Sequence, residues 1–239
     1  FDKDSGELIF SQLQNFCQVP AIVEWVDSVL KKNLSVQWNV RMEDVGSIVI
    51  SGFTAVSRAR PSFDWARNFL NPSRHPQSKQ EAMRYEAASV FAMFWNMAQK
   101  VCPSTVINDF KQFMEQIGLI SMDPKEFSRQ GGSEYTVNYE GSNITFKGVD
   151  MAPPSGVLVQ NYAQMSRPVH SEKQPHKYAL SWTTFRNVGV RSGHFYISSH
   201  RLWCCASSNA FTLWDPSLQN GQKIQRITES SCHNEWLQN

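Results

Sequence analysis

Apolar residues in the first half of the chain recur every three or four positions, which is typical of amphipathic helices. Pro20 stands at a first helical turn, and apolar residues follow at helical spacing as far as Lys31 and Lys32. The longest pattern covers residues 79–101, and a second one follows Pro103 and ends at Gly118. We therefore predict three helices in this half of the chain.

Other segments of this half are less clear in their pattern. Ser78 and Glu81 have the spacing of a capping box, which predicts that the long helix begins beside them. Residues 36–40 predict a short strand, whereas residues 44–59 fit either a strand or a helix. The aromatic residues of the long helix follow the same helical spacing, so we assign them to the core.

The pattern changes after Gly131 and Gly132. Residues 135–139 alternate, a turn follows at 141–143, and alternation resumes at 144–146, which predicts a hairpin. Further short strands are predicted at 157–162, 178–185, 194–198, 202–205 and 210–214. About seven strands without helices between them imply a sandwich or barrel. We expect an α+β fold in which a helical region, 1–130, packs on a jelly-roll region, 131–239, as one integrated fold.

Composition narrows the class of protein. Hydrophobic residues make up 41% of the chain and charged residues 18%, which favours a folded core over disorder. The net charge is +2, which does not by itself indicate a nucleic-acid binder, because a nucleic-acid footprint requires clustered basic residues. The small basic group of Arg58, Arg60 and Arg67 is interpreted as a solvated face. No apolar run reaches the roughly 18 residues of a membrane span, so we expect no membrane partner.

Cysteine usage points to an intracellular protein. The five cysteines include no C-x-x-C pair, which disfavours a zinc ribbon, and their odd number favours thiols in a reducing compartment. Cys204 or Cys205 together with His194 or His200 could imitate a catalytic Cys/His pair. The sequence gives no electropositive setting that would activate either thiol.

One pair of residues has the spacing of a metal site. His170 and Glu172 are two positions apart, so on a strand both side chains project from the same face and can reach one metal ion. Such a pair with a distant second histidine makes the facial triad of non-haem Fe(II) oxygenases. The spacing alone also occurs by chance.

This pair belongs to the second of four short motifs, which follow one another in the order Asn161-Tyr162-Ala163, His170-Ser171-Glu172, Gly193-His194-Phe195-Tyr196 and Trp214-Asp215-Pro216. The order resembles the double-stranded β-helix, a jelly roll, of the Fe(II)/2-oxoglutarate dioxygenases over residues 157–227. It is most similar to the AlkB-like and TET/JBP-like branches, which oxidise methylated nucleobases.

The resemblance implies roles for individual residues. His170 and Glu172 would be ligands of Fe(II), and Asn161 and Tyr162 would lie near 2-oxoglutarate. Arg226 would pair with the distal carboxylate of 2-oxoglutarate, since a guanidinium binds a carboxylate through two hydrogen bonds. The resemblance further implies DNA or another nucleic acid as partner, and the nucleus as an intracellular location.

The chain departs from the pattern of this family at two places. The carboxylate ligand is usually Asp and is here Glu172. The second metal histidine is expected after the Trp214 strand, yet residues 214–222 contain no histidine. Asn220 stands in its place, or a short His-bearing loop is missing after Pro216, or His233 substitutes for it. Without a third ligand, iron is expected to bind weakly.

Two other classes of protein fit the same patterns. One is a jelly-roll binding module without working iron, which would bind nucleic acid, glycan or a protein. The other is a structural protein, because helices together with a jelly roll also occur in self-assembling shells. Whichever class applies, we interpret His176, His194 and His200 as structural residues.

Overall fold

The computed structural model describes residues 1–40, 46–55, 63–66, 69–124, 134–139, 142–147, 151–160, 176–190, 194–197 and 200–215. Within these ranges the fold is α+β, with helices and antiparallel strands in the order β1 (Phe10–Leu13), α1 (Pro20–Leu34), β2 (Ser47–Ala55), β3 (Phe63–Trp65), a 3-10 turn (Pro72–Arg74), α2 (Gln77–Val101), α3 (Ser104–Gln116), β4 (Glu134–Tyr139), β5 (Ser142–Lys147), β6 (Ser155–Gln160), β7 (Ala179–Thr183), β8 (Phe195–Ile197), β9 (Leu202–Cys204) and β10 (Ala210–Trp214).

The chain divides into two compact units. Unit 1 combines residues 1–16 with residues 163–239, and unit 2 comprises residues 17–162. The predicted division between residues 130 and 131 stays a prediction. The pairing of β2 with β6 joins residues from both sides of it within unit 2.

Helix α1 of unit 2 is confirmed where the apolar spacing predicted it. Pro20 occupies its first turn, where the backbone N–H that proline lacks would have no hydrogen-bond partner within the helix. Its last turn carries two lysines that pair with carboxylates: Lys31 Nζ lies 2.5 Å from Asp27 Oδ2, and Lys32 Nζ lies 2.7 Å from Glu86 Oε2. Cations at this end also favour the helix dipole.

Helix α2 is also confirmed, but its predicted capping box is wrong. The residue before the helix is Pro76, so Ser78 lies inside the first turn and not at the N-cap. The extended backbone of Pro76 leads directly into the helix, and the Gln80 side-chain amide donates to the His75 carbonyl at 2.7 Å. The helix ends before Pro103, and α3 follows at once, with Gly118 in the left-handed region (φ +64°) just beyond it.

The ambiguous segment 44–59 contains a strand, β2, at the centre of the antiparallel sheet β3-β2-β6. Val49 of β2 lies opposite Leu158 of β6, and both are buried in one cluster with Leu34. The strand predicted at 36–40 reduces to a single bridge between Gln37 and Phe69.

Gly156 of β6 lies beside the ring of Phe91, a residue of helix α2. A Cβ at this position would stand 2.3 Å from Cε1 of Phe91. We expect Gly156→Ala to lower the free energy of unfolding by about 1–3 kcal/mol, the usual cost of overpacking a core. Urea unfolding measures this cost. The double variant Gly156→Ala/Phe91→Leu should recover part of it, and a double variant that merely adds both losses would contradict the proposed clash.

Unit 1 contains the antiparallel sheet β1-β10-β7 and the hairpin β8-β9. Strands β7 to β10 lie inside the segments that alternation predicted, whereas β4, β5 and β6 overlap their predicted segments and begin before them. Strand β1 was not predicted. Phe211 and Leu213 of β10 are buried. In the described part of the chain, no helix is long and apolar enough to span a bilayer.

Candidate functional site

The residues that the resemblance assigns to the site lie outside the described residues. This holds for His170, Glu172, Asn161, Tyr162 and Arg226, and also for the substitutes Asn220 and His233. Their roles stay predictions. The structure does describe the strands that flank them in the sequence.

The four strands that the structure describes after His170 pair in a nested order. The outer two, β7 and β10, pair with each other in one antiparallel sheet, and Phe211 lies opposite Trp182. The inner two, β8 and β9, form a separate hairpin in which Tyr196 lies opposite Trp203. In sequence order, the pair β7-β10 therefore flanks the pair β8-β9, and the two pairs belong to different sheets.

The register brings two sequence-distant segments to one end of the sheet. Ala179, the first residue of β7, lies opposite Trp214, the last residue of β10. The chain that enters β7 carries His170 and Glu172, and the chain that leaves β10 carries Asn220 and Arg226. Both segments thus connect to the same end of this sheet.

The polar groups described at this end include an ion pair and a buried aspartate. Lys177 Nζ lies 2.9 Å from Glu7 Oε1, and this hydrogen bond is the main reason why the pKa of Lys177 is raised. Asp215 is buried, its backbone N–H donates to the Ile9 carbonyl at 3.1 Å, and its charge also favours the protonated lysine. Lys177 is therefore an ion-paired residue at this end of the sheet.

The three described histidines of unit 1 each contact a neighbouring group. The Tyr178 N–H donates to Nδ1 of His176 at 3.0 Å, and the Ala206 N–H donates to Nδ1 of His194 at 3.1 Å. Nε2 of His200 lies 3.7 Å from Oδ2 of Asp2. These contacts agree with a structural role for all three.

Metal ligands are not grouped in the described part of the chain. Across those ranges, no three side chains of His, Cys, Asp or Glu are arranged to hold a metal ion. The described residues therefore do not by themselves fit Fe(II), and we derive no catalytic step through iron from them.

The cysteines differ in their exposure and ionisation. Burial raises the pKa of Cys204 to about 11 and that of Cys102 to about 11. Because the thiolate is the nucleophilic form, neither is activated at neutral pH. Cys205, the next residue along from Cys204, is exposed.

The N-terminal segment also contributes to this end of the sheet, which sequence reasoning missed. Phe10 of β1 lies opposite Trp214, and Glu7 reaches Lys177. The pairing of β1 with β10 joins residues about two hundred positions apart. A local pattern carries no information about such a distant partner.

No family model, no curated protein and no solved structure matches this chain. The functional proposal therefore depends on the motifs and on the geometry described above.

Proposed function

We propose that this chain is an Fe(II)/2-oxoglutarate dioxygenase-like protein that acts on methylated nucleobases in DNA, with residues 157–227 folded as a double-stranded β-helix. The observation that carries the proposal is the nested pairing of β7 with β10 around the hairpin β8-β9.

The nested order supports a jelly roll for a topological reason. A jelly roll consists of two Greek keys, and its strands exchange between two facing sheets. In such a fold, strands that are distant in sequence pair in one sheet and the strands between them pair in the other. A simple meander would instead pair β7 with β8 and β9 with β10.

The common end of β7 and β10 supports the site assignment. A metal site built from His170, Glu172 and a residue after Trp214 requires both segments to meet. The antiparallel register of Ala179 with Trp214 makes that meeting possible without a long connection.

In the proposed site, His170 and Glu172 hold Fe(II), and Asn161, Tyr162 and Arg226 bind 2-oxoglutarate. When bound, the metal with 2-oxoglutarate supplies the oxidant for a C–H bond of the substrate. The protein's task is to hold the methylated base, extruded from the duplex, beside that oxidant.

Anaerobic titration with Fe(II) and 2-oxoglutarate tests this proposal. When 2-oxoglutarate chelates Fe(II), the complex has a weak metal-to-ligand charge-transfer band in the visible spectrum. We expect this band in the unaltered protein. Replacing a residue that hydrogen-bonds to a metal ligand typically lowers metal affinity about 10–100-fold. Removing the proposed ligand itself, in His170→Ala, should therefore weaken iron binding by more than about 100-fold. His200→Ala is the matched control, because His200 contacts Asp2 and has no proposed metal role.

Two outcomes would refute the metal site. One is the absence of the band in the unaltered protein, and the other is an unchanged band in His170→Ala. Further variants, Asn220→Ala and His233→Ala, identify the third ligand by their loss of iron.

The lack of a histidine in residues 214–222 favours a second candidate, a jelly-roll binding module without iron. This candidate requires binding of a partner without conversion of 2-oxoglutarate. Succinate production that depends on His170 would exclude it.

A further inference from the structure

The β8-β9 hairpin of unit 1 has one face with buried side chains and one face that carries aromatic rings. Ile197 and Cys204 are buried. Successive side chains of a strand alternate between its two faces, so Tyr196 and Trp203, which lie opposite each other, share the other face. Trp203 is 38% exposed. The hairpin therefore presents an aromatic face to solvent.

Two rings flank Trp203 on this aromatic face, and neither is stacked parallel to it. The ring centroid of Tyr196 lies 5.8 Å from that of Trp203 at an interplanar angle of 53°. The ring centroid of His194 lies 5.4 Å away at 45°, and the Nδ1 of His194 accepts the Ala206 N–H at 3.1 Å. Trp203 is thus supported by its neighbours while part of its surface stays open to a ligand.

The polar atoms of the two larger rings are also available. Among the described residues, neither the Tyr196 hydroxyl nor the Trp203 Nε1–H has a hydrogen-bond partner. A ligand on this face can therefore stack on a ring and exchange hydrogen bonds with it.

A positive charge adjoins the aromatic face. Arg201 lies between β8 and β9, directly before Leu202, and it is exposed. It forms no ion pair or hydrogen bond with another residue that the structure describes. The carboxylate of Asp2, which lies near His200, already accepts hydrogen bonds from the N–H and the hydroxyl of Ser5. The charge of Arg201 is therefore left for a ligand.

We propose that the aromatic face, formed by Tyr196 and Trp203 with Arg201 beside it, binds unpaired nucleobases of a single-stranded nucleic acid. Nucleic acid as the class of partner rests on the proposed function, whereas binding at this surface requires no iron.

A nucleotide strand matches both features of the surface. Bases stack on aromatic side chains with little regard to sequence, because every base has a π-face. A guanidinium binds phosphate through charge-assisted hydrogen bonds. A cationic ligand would be repelled by Arg201, and a neutral glycan would make no use of its charge. The combination of rings with a cation therefore favours a strand whose bases are unpaired.

The experiment measures binding of a fluorescent oligothymidylate of about 15 nucleotides to the intact, iron-free protein by fluorescence anisotropy. Removing a stacking ring typically lowers affinity about 5–150-fold, and we expect a loss in this range for Trp203→Ala. Trp203→Phe keeps a ring and should retain most of the affinity. Trp38→Ala is the matched control, because Trp38 is a 48% exposed tryptophan of unit 2 and its removal should leave binding unchanged.

Two further measurements separate stacking from charge. A strand of equal length built from abasic nucleotides has the same phosphates without bases, and it should bind at least about fivefold more weakly. Arg201→Gln should reduce the slope of log affinity against log salt concentration by about 0.7, the value for one phosphate contact on a single strand. A purely structural role of Arg201 would leave this slope unchanged.

Absence of binding, equal binding of the abasic strand, or unchanged affinity in Trp203→Ala would overturn the proposal. If Trp203→Ala fails to fold, Tyr196→Leu and the abasic strand decide, and both must weaken binding. Saturable binding of a neutral oligosaccharide in place of the strand would assign the surface to glycans and equally overturn it. Because iron is absent, failure here is distinct from failure of the metal site, which the absorption band of the iron complex tests.

Discussion

Replacing Gly52 by alanine is expected to lower the free energy of unfolding by more than about 3 kcal/mol, because two independent penalties combine at this position. Gly52 of β2 has a φ of +88°, which side-chain-bearing residues rarely adopt. A Cβ there would also lie 2.3 Å from the carbonyl oxygen of Pro154 and 2.8 Å from Cε of Met122.

The carbonyl group of Pro154 cannot easily move away from a Cβ added at Gly52. Its oxygen accepts the Phe53 N–H at 2.7 Å, so moving it breaks a short hydrogen bond beside the β2-β6 pairing. Met122 is itself buried. The clash is therefore with backbone on one side and with packed core on the other.

Gly118→Ala separates the two penalties. Gly118 also has a positive φ of +64°, but a Cβ there would meet no described atom within 4 Å. Only the conformational cost of about 1–2 kcal/mol should remain. Urea unfolding of both variants measures the difference. Equal losses in the two variants would mean that the contact with Pro154 adds nothing.

The sequence predicted those elements whose signal is local. The apolar spacing after Pro20 and along residues 79–101 predicted helices α1 and α2, because each turn of a helix repeats the same face. Alternation likewise predicted the strands from β4 to β10. The first residue of α2 was predicted wrongly. Ser78 and Glu81 have capping-box spacing, but the helix already begins directly after Pro76.

Features that depend on distant residues were not predictable. Nothing near Phe10 indicates that β1 pairs with β10, and nothing near Gly52 indicates the carbonyl of Pro154. The same limit applies to the candidate site. Spacing suggested His170 and Glu172 as a pair, but a third ligand depends on how the chain after Trp214 folds.

The candidate Cys/His pairs lie between these two cases. The sequence contained Cys204 and Cys205 alongside His194 and His200 as candidates. The structure distinguishes the two cysteines by their exposure, since Cys204 is buried and Cys205 is exposed.

Phe16→Ala is expected to cost about 3–5 kcal/mol, as for other aromatic residues removed from a core. Phe16 is buried in unit 1, stacks on Phe211 with ring centroids 4.9 Å apart, and meets the edge of Trp182 at 5.5 Å. Its N–H also donates to the Asn209 carbonyl at 2.9 Å. This residue therefore anchors the N-terminal segment to β7 and β10.

Hydrogen exchange measured by mass spectrometry tests this role with local resolution. Peptides from β7 and β10 should lose protection in Phe16→Ala, whereas peptides from α2 in unit 2 should keep theirs. Phe1→Ala is the matched control, because Phe1 is 78% exposed and its removal should change stability by less than about 0.5 kcal/mol. Unchanged protection of β10 in Phe16→Ala would show that the N-terminal segment is not part of the core of unit 1.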